Sequence, residues 1–138
     1  QTVSYGIATR GGFSMAEVII DKEEIIFQQV QKADIVLTLT EEAMEKFQSF
    51  ADSGTSIIYD STLLEGRRGN NICGYPFTDM AGKLGHVGMA NIIALGFMAQ
   101  TAKMVGTNSL EKVIQERFSG NVMEMNLKAL QAGVNLAL

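Results

Sequence analysis

At 138 residues the chain is the size of one domain and is long enough to bury a core. An apolar fraction of 46% beside 19% charged residues describes a globular chain. A net charge of −4, with Arg67-Arg68 as the only Lys/Arg doublet, excludes the clustered cations that nucleic-acid phosphates require. A single cysteine, Cys73, excludes an internal disulfide and any multi-cysteine iron–sulfur or zinc site, and a single histidine, His86, excludes a histidine-rich metal site or His-paired catalysis.

The chain opens at Gln1, not at Met, directly in a β-prone run, Thr2-Val3-Ser4-Tyr5. The expectation is that it has lost an N-terminal portion and begins in the middle of a sheet. Tyr5-Gly6-Ile7-Ala8-Thr9-Arg10-Gly11-Gly12 then reads as a strand end followed by a phosphate-sized turn. Gly6 and Gly11-Gly12 let the backbone turn sharply and approach another surface closely, and Arg10 projects a planar charged fork suited to carboxylate or phosphate. The plainer alternative is a glycine loop between two strands with Arg10 in solvent.

Phe13 to Asp21 reads as a strand, Asp21 to Glu24 as a turn, Ile25-Ile26-Phe27 as a short edge strand and Gln28 to Lys32 as one helical turn. Ala33 to Leu39 is a continuous apolar run, as expected of a strand covered on both faces of a parallel sheet. Thr40 stands where an N-cap belongs, and Glu41-Glu42 suits the positive end of a helix dipole. Met44, Phe47, Phe50 and Ala51 form one helical face, and Ser53-Gly54 ends that helix. Thr55 to Asp60 is a second buried strand, which makes a βαβ unit. After a charged loop from Glu65 to Asn71 comes a third strand, Ile72 to Tyr75, stopped by Pro76. Thr78 should cap a short helix from Asp79 to Leu84, with Gly85 after it.

Val87 to Lys103 is apolar on nearly every face and should be the most buried helix. Its run is broken by Asn91, Gln100 and Lys103, which favours a buried helix over a membrane span. Ser109 should cap the next helix, with Leu110, Val113, Ile114 and Phe118 as its core stripe. Asn121 and Glu124 resemble a capping box for a last helix that ends near Gly133 or frays beyond it. The fold class is therefore α/β, a mostly parallel sheet flanked by helices with a helical C-terminal third, and no domain boundary interrupts it. Ligands of such sheets favour the carboxyl ends of the strands, where the turns at 38–42, 60–62 and 76–79 should lie together. The chain holds no GxGxxG and no Walker lysine, so a standard dinucleotide or ATP site is not supported.

An ordered set of segments carries a resemblance: Tyr5-Gly6-x-x-x-Arg10-Gly11-Gly12, the strand ending at Asp21, Ala33-Asp34-Ile35-Val36, Ile58-Tyr59-Asp60-Ser61, Ala90 to Gly96, and Asn126 to Gly133. Together they resemble the gamma subunit, or gamma domain, of 2-oxoacid:ferredoxin and 2-oxoacid:acceptor oxidoreductases, closer to the 2-oxoglutarate type than the pyruvate type. The likeness spans essentially the whole chain, residues 1–138, as a single gamma-type domain. It departs in two places. The family's opening strand, Gly-Gly-Gln-Gly turn and helix are absent, and Ile7 and Ala8 stand where proline and an acid are common.

The resemblance implies a non-catalytic subunit of a cytoplasmic complex that oxidatively decarboxylates a 2-oxoacid to an acyl-CoA and reduces ferredoxin or another acceptor. Thiamine diphosphate and iron–sulfur clusters would sit in partner subunits of alpha, beta and delta type, and this chain would bind neither them nor a metal. The resemblance assigns no catalytic residue here and leaves room for a coenzyme A contact through Tyr5, Gly6, Arg10, Gly11 and Gly12. The eight methionines and weakly charged helices suggest an apolar surface covered by a missing segment, a second copy in a homodimer, or partner subunits. Neither nucleic acid nor membrane is expected as a partner.

Two other readings are compatible with these residues. One is a stand-alone α/β domain that binds a small anion through Arg10 or regulates another protein. The other is a small enzyme, for which no nucleophile–base pair stands out. Cys73 reads as a buried core residue and His86 as a helix-start residue. Asp34 and Asp60 read as strand-end residues that could be site groups or ordinary turn aspartates, and Glu41-Glu42 as a helix-dipole pair alone.

Overall fold

The computed structural model describes residues 2–5, 13–27 and 29–138. Its body is a three-stranded parallel sheet in the order β3–β4–β5, formed by β3 (Ile35–Thr38), β4 (Ser56–Asp60) and β5 (Ile72–Tyr75). Ile35 lies opposite Ser56 and Ile57 opposite Ile72, so all three strands run the same way. Alternation along the strands splits the core in two. Ile57 and Tyr59 join Met44, Ala51 and Leu64 on one face, while Ile58 joins Phe77, Ala81, Ile93, Ala94, Phe97 and Ala129 on the other.

The first face is covered by α1 (Glu41–Phe47), which continues as a 3₁₀ helix over Gln48–Ser53. Thr40 caps it as expected, its side-chain oxygen accepting the Ala43 N–H at 3.3 Å. Gly54, at φ 94°, ends the segment in a conformation that only glycine adopts cheaply. The second face is covered by α2 (Phe77–Lys83), α3 (Ala90–Ala102) and α5 (Gly120–Leu136), with α4 (Thr107–Arg117) packed against α5.

Helix α3 contains the buried residues Ile93, Ala94, Gly96, Phe97 and Ala99, in keeping with its all-round apolar sequence. The three residues expected as its first turn, Val87–Met89, form a separate 3₁₀ turn. Helices α3 and α5 meet backbone to backbone. A methyl group added at Gly96 would collide with the Leu130 carbonyl oxygen, and one at Gly133 with the Ile93 carbonyl oxygen. Gly133 therefore sits inside α5 as a contact point, and the helix runs on past it as regular helix to Leu136.

Several local expectations differ. β1 (Thr2–Tyr5) pairs antiparallel with β2 (Ser14–Glu17) in a separate two-stranded sheet, so the opening strand is not part of the parallel sheet. The strand expected through Asp21 stops at Glu17. Neither an edge strand at Ile25–Phe27 nor a helical turn after it is present among the described residues, and Gln28 lies outside them. Helix α2 begins at Phe77 with Pro76 in the N-cap position, because the proline ring pre-sets φ and has no N–H to satisfy. Gly106, not Ser109, precedes α4, and Ser119, not Asn121, precedes α5. In the α4 stripe Ile114 is buried, while Val113 and Phe118 stay well exposed.

Candidate functional site

The loop proposed from sequence falls mostly outside the described residues. Gly6, Arg10, Gly11 and Gly12 lie there, and Tyr5 is described as the last backbone position of β1, paired with Ser14. Phe13 is placed: its ring lies 6.5 Å from that of Phe47, and the Lys46 ammonium sits 4.3 Å from its centre. This cation–π contact ties the residue before β2 to the C-terminal turn of α1.

Parallel pairing brings the three expected turns to one sheet edge. Asp60, the last residue of β4, is fully buried there. Its Oδ1 accepts the Thr62 N–H at 3.0 Å. Its Oδ2 accepts the Thr78 N–H at 3.0 Å and the Thr78 hydroxyl at 2.5 Å. Thr62 returns the link, its hydroxyl oxygen accepting the Asp79 N–H at 3.1 Å. A buried carboxylate is costly unless hydrogen bonds replace its water, and three donors do so here. Asp60 thus joins the end of β4 to the start of α2. Of the two roles open to it from sequence, the structure supports the turn aspartate. Thr78, expected as a helix cap, serves Asp60 instead.

On the other side of the same edge, the buried Thr38 hydroxyl donates toward the Ile58 carbonyl and toward Met44 Sδ, both at 3.4 Å. Arg67 pairs with Glu41, and its backbone carbonyl accepts the Tyr59 hydroxyl at 3.1 Å. Glu41 is therefore more than half of a helix-dipole pair, because it also ties the 65–71 loop to the start of α1. The Arg67 Nε is buried without a hydrogen-bond partner among the described residues. Sequence spacing carries no signal for this pair, since 26 positions, spanning α1, the 3₁₀ helix and β4, separate its members.

Tyr75 ends β5 in an aromatic group, its ring centre 4.1 Å from Phe97 and 5.9 Å from Phe77. Burial, and secondarily the nearby Cys73, raise its pKa above the ordinary 10.0. Cys73 itself is exposed, against the expectation of a core thiol. It lies on β5, an edge strand with a neighbour on one side only among the described residues. His86 does stand at a helix start, its Nδ1 accepting the Gly88 N–H at 3.0 Å. Among the described residues no group of three or more His, Cys, Asp or Glu side chains could hold a metal ion, and no helix is long and apolar enough to cross a membrane. The Asp60, Thr62 and Thr78 groups at the sheet edge are engaged in clamping turns to helices.

Comparison with known proteins extends this description. The family model described as pyruvate ferredoxin/flavodoxin oxidoreductase matches residues 1–136. The 2-oxoglutarate synthase subunit KorC of Archaeoglobus fulgidus is 38% identical over 138 residues, covering 99% of this chain and 70% of that protein. KorC of Methanocaldococcus jannaschii is 33% identical, covering 99% and 76%. Among solved structures, the gamma subunit of a keto/oxoacid ferredoxin oxidoreductase from Geobacter sulfurreducens superimposes with a TM-score of 0.78 at 30% identity, over 99% of this chain and 78% of that one.

Proposed function

This chain belongs to the pyruvate ferredoxin/flavodoxin oxidoreductase family, and from that membership we propose that it is the gamma subunit of a multi-subunit 2-oxoglutarate:ferredoxin oxidoreductase. The observation that carries this reading is the relationship to KorC, at 38% identity over 99% of this chain and 70% of that protein. The assembled enzyme would decarboxylate 2-oxoglutarate oxidatively, form an acyl-CoA and pass electrons to ferredoxin. This chain would act as one gamma-type domain without catalytic residues. Thiamine diphosphate and iron–sulfur clusters would belong to alpha-, beta- and delta-type partners, a division of labour that suits its single cysteine and single histidine. A cytoplasmic setting belongs to this reading, since an unpaired Cys73 suits a reducing compartment. A second copy of the chain is a further partner that this reading accommodates.

Within that complex, the Tyr5–Gly12 stretch is the proposed contact surface. Arg10 would engage a carboxylate of a partner subunit or a phosphate of coenzyme A, with Gly6, Gly11 and Gly12 permitting close backbone approach. The test is co-expression with the neighbouring subunit genes and purification through a tag on this chain. Thiamine diphosphate and iron should co-purify in defined stoichiometry with the partners. Isolation of the chain by itself, with no such partners, would favour a stand-alone anion-binding module. In the complex, Arg10→Lys should weaken assembly or the apparent coenzyme A affinity by roughly 1.5–3 kcal/mol, the range for hydrogen bonds to charged groups. The competing reading, an ion pair of Arg10 with for example Asp34 or Asp60 that merely fixes the loop, would lose only about 0–1 kcal/mol if exposed. Unchanged assembly and unchanged coenzyme A affinity would leave the loop as a simple glycine turn.

A further inference from the structure

We draw no further inference here: the strongest candidate, the extended segment Val18–Phe27 that follows the β1–β2 hairpin and exposes Val18, Ile20, Ile25, Ile26 and Phe27, is an unpartnered apolar face and nothing in the structure shows what covers it.

Discussion

Replacing Gly133 with alanine tests how α3 and α5 are held together. The new methyl would overlap the Ile93 carbonyl oxygen and lie only 2.8 Å from both the Ile93 carbonyl carbon and the Phe97 nitrogen. These are backbone atoms of α3, so no side-chain rotation can relieve the clash and the helices must separate. Overpacking costs about 1–3 kcal/mol, and a clash with backbone that no rotamer relieves belongs in the upper part of that range, about 2–3 kcal/mol. Alanine's better helix propensity returns about 0.8–1 kcal/mol, so the net loss should be about 1–2 kcal/mol, at the upper end if the backbones resist. For a chain of this size that is a fall in Tm of roughly 3–10 °C. Gly82→Ala is the internal control. Gly82 also lies inside a helix, but its added methyl would meet only Val87 Cγ1, at 3.9 Å. It should be neutral or raise stability by up to about 1 kcal/mol. Thermal unfolding followed by far-ultraviolet circular dichroism measures both variants. A Gly133→Ala chain as stable as the parent, or a Gly82→Ala chain less stable than Gly133→Ala, would refute the close helix crossing.

Two further outcomes follow from the sheet edge. Thr78→Val keeps the side-chain shape but leaves the buried Asp60 carboxylate one donor short, and should lower stability by about 1.5–3 kcal/mol in urea titrations, whereas Thr78→Ser should restore most of it. Parent-like stability of the valine variant would show that the clamp contributes nothing. Tyr75, whose pKa is raised in the fold, keeps its phenol proton more tightly folded than unfolded. Its contribution is therefore complete below the unfolded value near 10 and is lost as pH rises through the folded value. Tyr75→Phe should flatten the alkaline decline in the urea midpoint, and an identical decline in parent and variant would contradict that.

The parts legible in the sequence were those governed by local pattern. Ile35-Val36-Leu37 and Ile57-Ile58-Tyr59 are apolar at consecutive positions, as a strand covered on both faces requires, and the two strands do pair in parallel around α1. The Thr40 cap and the Gly54 stop were also readable, because each is a one-residue requirement of helix ends. What escaped were contacts between distant segments. Nothing local distinguishes a Thr78 that caps a helix from one that serves a carboxylate arriving from β4. Gly133 looked like a helix end because glycine's low propensity and its value in close packing leave the same mark on a sequence. Cys73 looked like core because its edge-strand position is a property of sheet order, which strand sequences alone do not reveal. The Ile25–Phe27 run is β-prone, yet no strand forms there among the described residues, since a strand needs a neighbour as well as a propensity.

The central claim is that the chain is the gamma subunit of a 2-oxoglutarate-oxidising complex, and substrate-dependent ferredoxin reduction by the purified complex tests it most directly. Reduction should require coenzyme A. At equal subsaturating concentrations, 2-oxoglutarate should give the highest kcat/KM, above pyruvate and above a branched-chain 2-oxoacid. Preference for pyruvate or a branched-chain acid, or a complex that contains this chain and reduces ferredoxin with none of the three, would contradict the assignment.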